Sequence, residues 1–305
     1  MLFDYSKHIR NLLKVCLLIF SIFIIYFSYR YVVWNNKIDK YIDAHNKFGQ
    51  SEASRLTKHD NVTVVNYAGG PLVYYLNRAL LNQSLNDHGI NRIFTYWPND
   101  IDYEFYQKHS KILDQKKGAG YWLWKPYIIL DAMKRLPENS LILYLDGDLQ
   151  LKKDISPLVE LFSKYDRILF YNFHTNLPYT KKDAYIFMGV DPEIYKNYTQ
   201  LEAGYVFIKN NEKNREFVKK WIEYASDERI VTDMKSVNGD EYDDFIAHRH
   251  EQAILSLLNV KDNNKYSYIL EHKKSSEYFT RFEAKSIKKF FQIFARYCDA
   301  YIKSR

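Results

Sequence analysis

Residues 141–151 read LILYLDGDLQL, and this stretch constrains the fold more than any other. Its five leading apolar residues show no alternation, so they describe a strand buried on both faces. Such a strand needs helices on each side of its sheet, supplied by the same chain. The sequence supplies them. Residues 62–66 (VTVVN), 92–97 (RIFTYW), 167–172 (RILFYN), 205–208 and 268–270 read as further strands. Residues 71–81, 103–113, 122–136, 154–164, 214–225 and 244–258 carry helical patterns between them. The alternation predicts an α/β domain with a mixed, mostly parallel sheet. With 305 residues, 47% of them apolar, the chain suits one large domain or two small ones and is not disordered as a whole.

The net charge of +7 has a location. Residues 1–14 hold Lys7, Arg10 and Lys14 against Asp4. Residues 281–305 hold Arg281, Lys285, Lys288, Lys289, Arg296, Lys303 and Arg305 against Glu283 and Asp299. The stretch between is neutral, which excludes the basic groove of a nucleic-acid binder. Basic ends instead suit contact with an anionic membrane. Residues 15–29, VCLLIFSIFIIYFSY, are uncharged. As a helix they span about 22 Å against a hydrocarbon core of about 30 Å. Leu12, Leu13 and residues 31–34 extend the run if Lys14 and Arg30 snorkel. Tyr29, Tyr31 and Trp34 then lie at an interface. No small-residue cleavage site follows, so the expectation is a retained N-terminal single transmembrane helix.

The expected organisation is therefore an anchor segment over 1–34, a polar stem over 35–60, an α/β domain over 61–280 and a basic amphipathic helix over 281–305. That last helix lies either on the membrane or on the domain. Cys16 and Cys298 leave no disulfide within the domain, while Asn61, Asn82 and Asn197 head glycosylation sequons. The side of the membrane stays open: the lumen of the Golgi or endoplasmic reticulum, or a bacterial inner membrane.

Asp146-Gly147-Asp148 ends the buried strand. In open α/β sheets, ligands gather outside the carboxyl ends of strands. Two carboxylates there can hold Mn²⁺ or Mg²⁺, which take oxygen ligands and bridge substrate phosphates. The other reading is a strand-end turn capped by aspartate. A second match, Asp100-Ile101-Asp102, follows Pro98-Asn99 and reads as a turn and helix cap. There is no P-loop, nucleophile elbow or HExxH zinc motif.

YLDGDLQL resembles the DxD segment of metal-dependent nucleotide-sugar glycosyltransferases of the GT-A fold, the family-8-like enzymes among them. GAGYWLWKP at residues 118–126 resembles a stretch in glycosyltransferases of polysaccharide or capsule type. HRHEQAIL at residues 248–255 resembles a helix start in that group, where Asp-Gln usually stands in place of Glu251-Gln252. The resemblance covers roughly residues 60–275. It implies a GT-A-like fold and a hexosyltransferase-type activity. The donor is a nucleotide sugar, UDP- or GDP-linked, and the acceptor a glycan, lipid or protein hydroxyl.

The resemblance also implies roles for particular residues. Asn66 and Tyr67, at the end of the first strand, lie near the nucleotide, with Tyr67 a stacking partner for the base. Lys125 pairs with a phosphate or an acceptor, while Trp122 reads as core. Glu202 lies on the acceptor side, as general base if the enzyme inverts. His250, Glu251 and Gln252 open an active-site helix, with His248 and Gln252 expected on one face. His272 is a third metal ligand, although Glu271-His272-Lys273 departs from the His-His-Arg of similar sequences. Two further readings remain: a non-catalytic, membrane-tethered glycan-binding or scaffold protein, and a metal-dependent nucleotide-sugar hydrolase or phosphotransferase.

Overall fold

The computed structural model describes residues 59–262 and 266–282. The expected membrane span, the stem through residue 58 and the C-terminal helix beyond residue 282 lie outside them. Among the described residues no helix is long and apolar enough to cross a membrane.

Among the described residues, eight strands and a set of helices form the domain. The strands are β1 (Val62–Tyr67), β2 (Ile93–Tyr96), β3 (Leu141–Leu145), β4 (Leu149–Leu151), β5 (Arg167–Thr175), β6 (Thr199–Lys209), β7 (Ser267–Glu271) and β8 (Phe279–Arg281). The longer helices are α1 (Leu72–Asp87), α2 (Tyr103–Leu113), α3 (Trp124–Arg135), α4 (Glu212–Ala225) and α5 (His250–Lys261). Six strands make one sheet in the order β2-β1-β3-β6-β5-β7, and β4 pairs with β8 in a second, small sheet. Within the large sheet β6 runs antiparallel to both neighbours, while the other pairings are parallel. The sheet is mixed and mostly parallel, as the strand–helix alternation predicts.

All five residues of β3 are buried. Ile142 and Tyr144 join a core with Ile128, Ile129, Trp221 and Ile254, contributed by α3, α4 and α5. Leu141, Leu143 and Leu145 join a second core with Leu81 and Leu85 of α1. This two-sided burial is why the strand carries no alternation. Asp102 caps α2, its side chain accepting from the Phe105 N–H at 3.0 Å, so the second DxD is the helix cap it resembles.

Four expectations need correction. The helix expected over 154–164 is short, Ser156–Glu160, and tightens into a 3₁₀ turn. β6 begins at Thr199 rather than 205, so Glu202 lies within a strand and not before one. The helix expected from residue 244 begins at His250, because Arg249 and His250 leave helical geometry, with His250 at φ +51°. His248 therefore precedes the helix and shares no helical face with Gln252. Arg281, expected to open the basic tail, lies in strand β8.

Candidate active site

β3 ends in the middle of the sheet, and Asp146 follows it at the carboxyl edge. Its N–H donates to the Gly204 carbonyl of β6 at 3.0 Å, and its carbonyl accepts from Leu149 at 3.1 Å. This closes the turn that returns the chain as β4. Gly147 eases the bend, since a Cβ there would lie 3.2 Å from the Tyr67 carbonyl oxygen, a tight approach. β4 pairs with β8 in a register that sets Leu149 opposite Arg281. The Phe282 N–H donates to the Asp148 carbonyl at 2.6 Å. A three-residue strand thus delivers Arg281 to the aspartate pair.

The guanidinium bridges that pair. Arg281 Nη1 lies 2.8 Å from Asp148 Oδ1 and 3.5 Å from Asp146 Oδ2, and Nη2 lies 3.9 Å from Glu202 Oε2. Gly204 makes room: a Cβ there would fall 2.5 Å from Arg281 Nη2 and 2.8 Å from Asp146 Oδ2. The Tyr144 hydroxyl donates to Asp146 Oδ1 at 2.7 Å.

A second cation approaches from the other side. Lys125 is buried, with Nζ 2.7 Å from Glu251 Oε1 and 3.6 Å from Asp146 Oδ1. It enters α3 through an unusual turn. Gly118, Ala119, Gly120, Tyr121 and Trp122 all have positive φ, between 49° and 100°. This left-handed turn costs of order 1–2 kcal/mol at each non-glycine residue. Gly120 is obligatory within it, because a Cβ there would meet the Leu113 Cα at 2.7 Å. The turn is tied down where the Trp124 indole N–H donates to the Gly118 carbonyl at 2.9 Å.

These groups surround an open cleft of about 540 Å³. Lys125, Asp146, Glu202, His250, Glu251, Gln252 and Arg281 line it. Trp122, expected in the core, is half-buried and lines the cleft beside His250, with ring centroids 5.5 Å apart. Gln252 donates to Gln200 Oε1 at 3.0 Å. His250 Nδ1 lies 2.8 Å from the Val231 carbonyl, which makes it the donor and leaves Nε2 facing Asp233 at 3.7 Å.

The electrostatics follow from burial set against charge. Burial works against ionised Asp146, but Lys125 and Arg281 outweigh it and hold its carboxyl below the usual range. Burial also opposes the Lys125 charge, and Asp146 and Glu251 reverse that, raising its pKa. For Asp148 and Glu251 burial wins, and both carboxyls move up despite their cations. Arg281 is disfavoured by burial, yet the two aspartates hold its charge firmly.

Asn66 and Tyr67 are not among the residues that line the cleft. Tyr67 is buried, its ring stacked on Trp124 at 3.9 Å, and burial pushes its hydroxyl up to about 12. Asn66 is fully buried; its amide donates to Asn82 at 2.7 Å, and its own carbonyl oxygen has no partner among the described residues. His272 begins the helix His272–Tyr278, and its side chain lies outside the described residues. Among the described residues no group of three or more His, Cys, Asp or Glu is gathered to hold a metal. The aspartate pair nonetheless suits Mg²⁺ or Mn²⁺, which commonly take one or two carboxylates and complete their shell with phosphate and water oxygens.

Sequence reasoning missed Arg281 and Gly204. Nothing local marks either: the arginine sits among other basic residues, and the glycine reads as a weak strand position.

No family model matches the chain, and no curated protein matches it. Solved structures do. A glycosyltransferase involved in glycosylation of the major capsid of PBCV-1 is similar over 76% of this chain and 98% of its own, at 12% identity and TM-score 0.45. Mouse xyloside xylosyltransferase 1, in its apo form, covers 68% of this chain and 84% of its own, at 10% identity and TM-score 0.43. The galactosyltransferase LgtC, in complex with donor and acceptor sugar analogs, covers 64% of this chain and 70% of its own, at 13% identity and TM-score 0.36. None of these three exceeds a TM-score of 0.45.

Proposed function

We propose that the chain is a nucleotide-sugar-dependent glycosyltransferase of GT-A-like architecture. One observation carries the reading: Asp146 and Asp148, at the carboxyl edge of the central strand, hold a cationic group at the wall of an open cleft. Among the described residues, Asp148 pairs with Arg281, Asp146 lies near both Arg281 and Lys125, and Glu251 pairs with Lys125. The aspartate carboxylates repel a diphosphate unless positive charge comes with it. Mn²⁺ or Mg²⁺ held by Asp146 and Asp148 would offset charge on the diphosphate as it leaves.

The remaining roles belong to the chain's own side chains. Lys125 faces Asp146 from the cleft wall and is oriented by Glu251, whose carbonyl is in turn fixed by the Trp221 indole N–H at 3.0 Å. Glu202 is the candidate base: an acceptor oxygen bonds to the anomeric carbon, the bond to the diphosphate breaks, and the acceptor proton passes to the carboxylate. His250 and Gln252 line the sugar-binding space, and Asn66 and Tyr67 lie on the nucleotide side. The acceptor is a glycan, lipid-linked or protein-linked hydroxyl. His272 as a further ligand, and a membrane anchor at residues 15–29, complete the proposal on sequence grounds.

The test is product analysis of the full chain with UDP- and GDP-sugars, Mn²⁺ and a panel of acceptor glycans. Transfer that Asp146→Asn and Asp148→Asn each abolish supports the reading. Undiminished metal-dependent transfer by either variant overturns it, and free sugar formed equally without acceptor points to a hydrolase.

A further inference from the structure

Arg281 stands where positive charge must stand if the aspartate pair is to meet a diphosphate. Its backbone is fixed by the β4–β8 ladder and by the Phe282 N–H on the Asp148 carbonyl. Its side chain is about 30% exposed and opens on the cleft, so the head group can change partners without the strand moving. Gly204 leaves that head group its space.

The aspartate oxygens that Arg281 uses are the ones a divalent ion needs. Two cations cannot share them, because like charges repel at such distances. Once those oxygens are taken, the guanidinium stays tethered in the cleft, having lost both aspartates and kept Glu202 at 3.9 Å from Nη2. A partly buried cation in that position needs a new anion. Its planar fork matches two phosphate oxygens. A diphosphate is the anion that the ion itself draws to this place.

We propose that Arg281 binds the donor diphosphate, and that it covers Asp146 and Asp148 until the divalent ion and the diphosphate arrive together. This inference rests on the glycosyltransferase reading above. It makes metal and donor binding a coupled event: each alone is weak, and each strengthens the other.

Replacing Arg281 separates the two roles by sign. Full-length wild type, Arg281→Gln and Arg281→Lys are titrated with Mn²⁺ alone, and then with pyrophosphate in the presence of Mn²⁺. Loss of a charge-assisted contact corresponds to about tenfold in affinity. Arg281→Gln is expected to bind Mn²⁺ alone about tenfold more tightly and Mn²⁺–pyrophosphate about tenfold more weakly than wild type. Arg281→Lys, which keeps the charge and loses the fork, falls between on both measures. A merely structural arginine would not tighten metal binding when removed. If Arg281→Gln binds Mn²⁺ no better, or pyrophosphate no worse, the role assigned to Arg281 is wrong while the transferase reading stands. If wild type and both variants, all folded by circular dichroism, bind neither Mn²⁺ nor Mn²⁺–pyrophosphate, the transferase reading fails and takes this inference with it. If Arg281→Gln does not fold, Arg281→Lys decides the matter on the same two measures.

Discussion

The Lys125→Met chain is expected to lose about 3–5 kcal/mol of stability, because it strands a buried carboxylate. The Lys125 side chain is 3% exposed and that of Glu251 is 6% exposed, with 2.7 Å between the charged atoms. With so little exposure, water replaces the ammonium poorly. Asp146, 3.6 Å from Nζ, keeps its Tyr144 and Arg281 partners, so Glu251 bears most of the loss. The double variant Lys125→Met with Glu251→Gln removes both charges and should recover most of the deficit, since a neutral replacement of a buried pair is often harmless. The assay is urea unfolding at neutral pH, comparing midpoints at unchanged slope. In a thermal scan the single variant should melt roughly 6–20 °C lower, at about 2–4 °C per kcal/mol for a domain of this size. The sign with pH is fixed. The Glu251 pKa is already raised by burial, and losing Lys125 raises it further. Its uncharged form is then the stable one in the fold, so the deficit shrinks as pH falls. A loss below about 1 kcal/mol, or a double variant no more stable than the single, would refute the buried-pair account.

Further expectations concern the shell around the site. His248 accepts the Lys181 N–H on Nδ1 at 3.2 Å and sets Nε2 2.7 Å from the Ile230 carbonyl, so it is a neutral tautomer with no room for a second proton. Burial, and then His250 beside it, push its pKa well below the ordinary 6.5. Its contribution is therefore complete above 6.5 and is lost as pH falls toward the folded value, so melting temperatures should drop on acidification and His248→Gln should flatten that slope. Gly120→Ala forces a Cβ onto the Leu113 backbone and should lower the melting temperature by several degrees, or prevent folding; a neutral result would contradict the left-handed turn. Gly204→Ala should leave a folded chain with disturbed Asp146 and Arg281 side chains, visible as weakened Mn²⁺–pyrophosphate binding, and unchanged binding would contradict their close packing.

What the sequence discloses, and what it hides, follows from how each feature is built. Strands β1 and β3 are legible because two-sided burial leaves nearly continuous apolar runs. The first half of β6 is not, because Gln200 and Glu202 interrupt its apolar pattern. The start of α5 is misplaced because a left-handed His250 breaks a helix that composition alone would extend. The aspartate pair can be found because an apolar run ends on it. Its Arg281 partner cannot, lying 135 residues from Asp146, and neither can the pairing of Lys125 with Glu251, 126 residues apart. Net charge says how many basic residues a segment holds, not which of them turns inward. Strand β8, with the three residues FTR, is too short to carry a periodic signal.

The central claim is that the aspartate pair binds a nucleoside diphosphate through a divalent cation. Its most direct test is calorimetric titration of the full chain with UDP and with GDP, each with and without Mn²⁺, beside Asp148→Ala. The account predicts binding of one of the two that requires Mn²⁺ and disappears in Asp148→Ala. Binding that is the same without Mn²⁺ and survives in Asp148→Ala, or no binding at all by a folded chain, would contradict it.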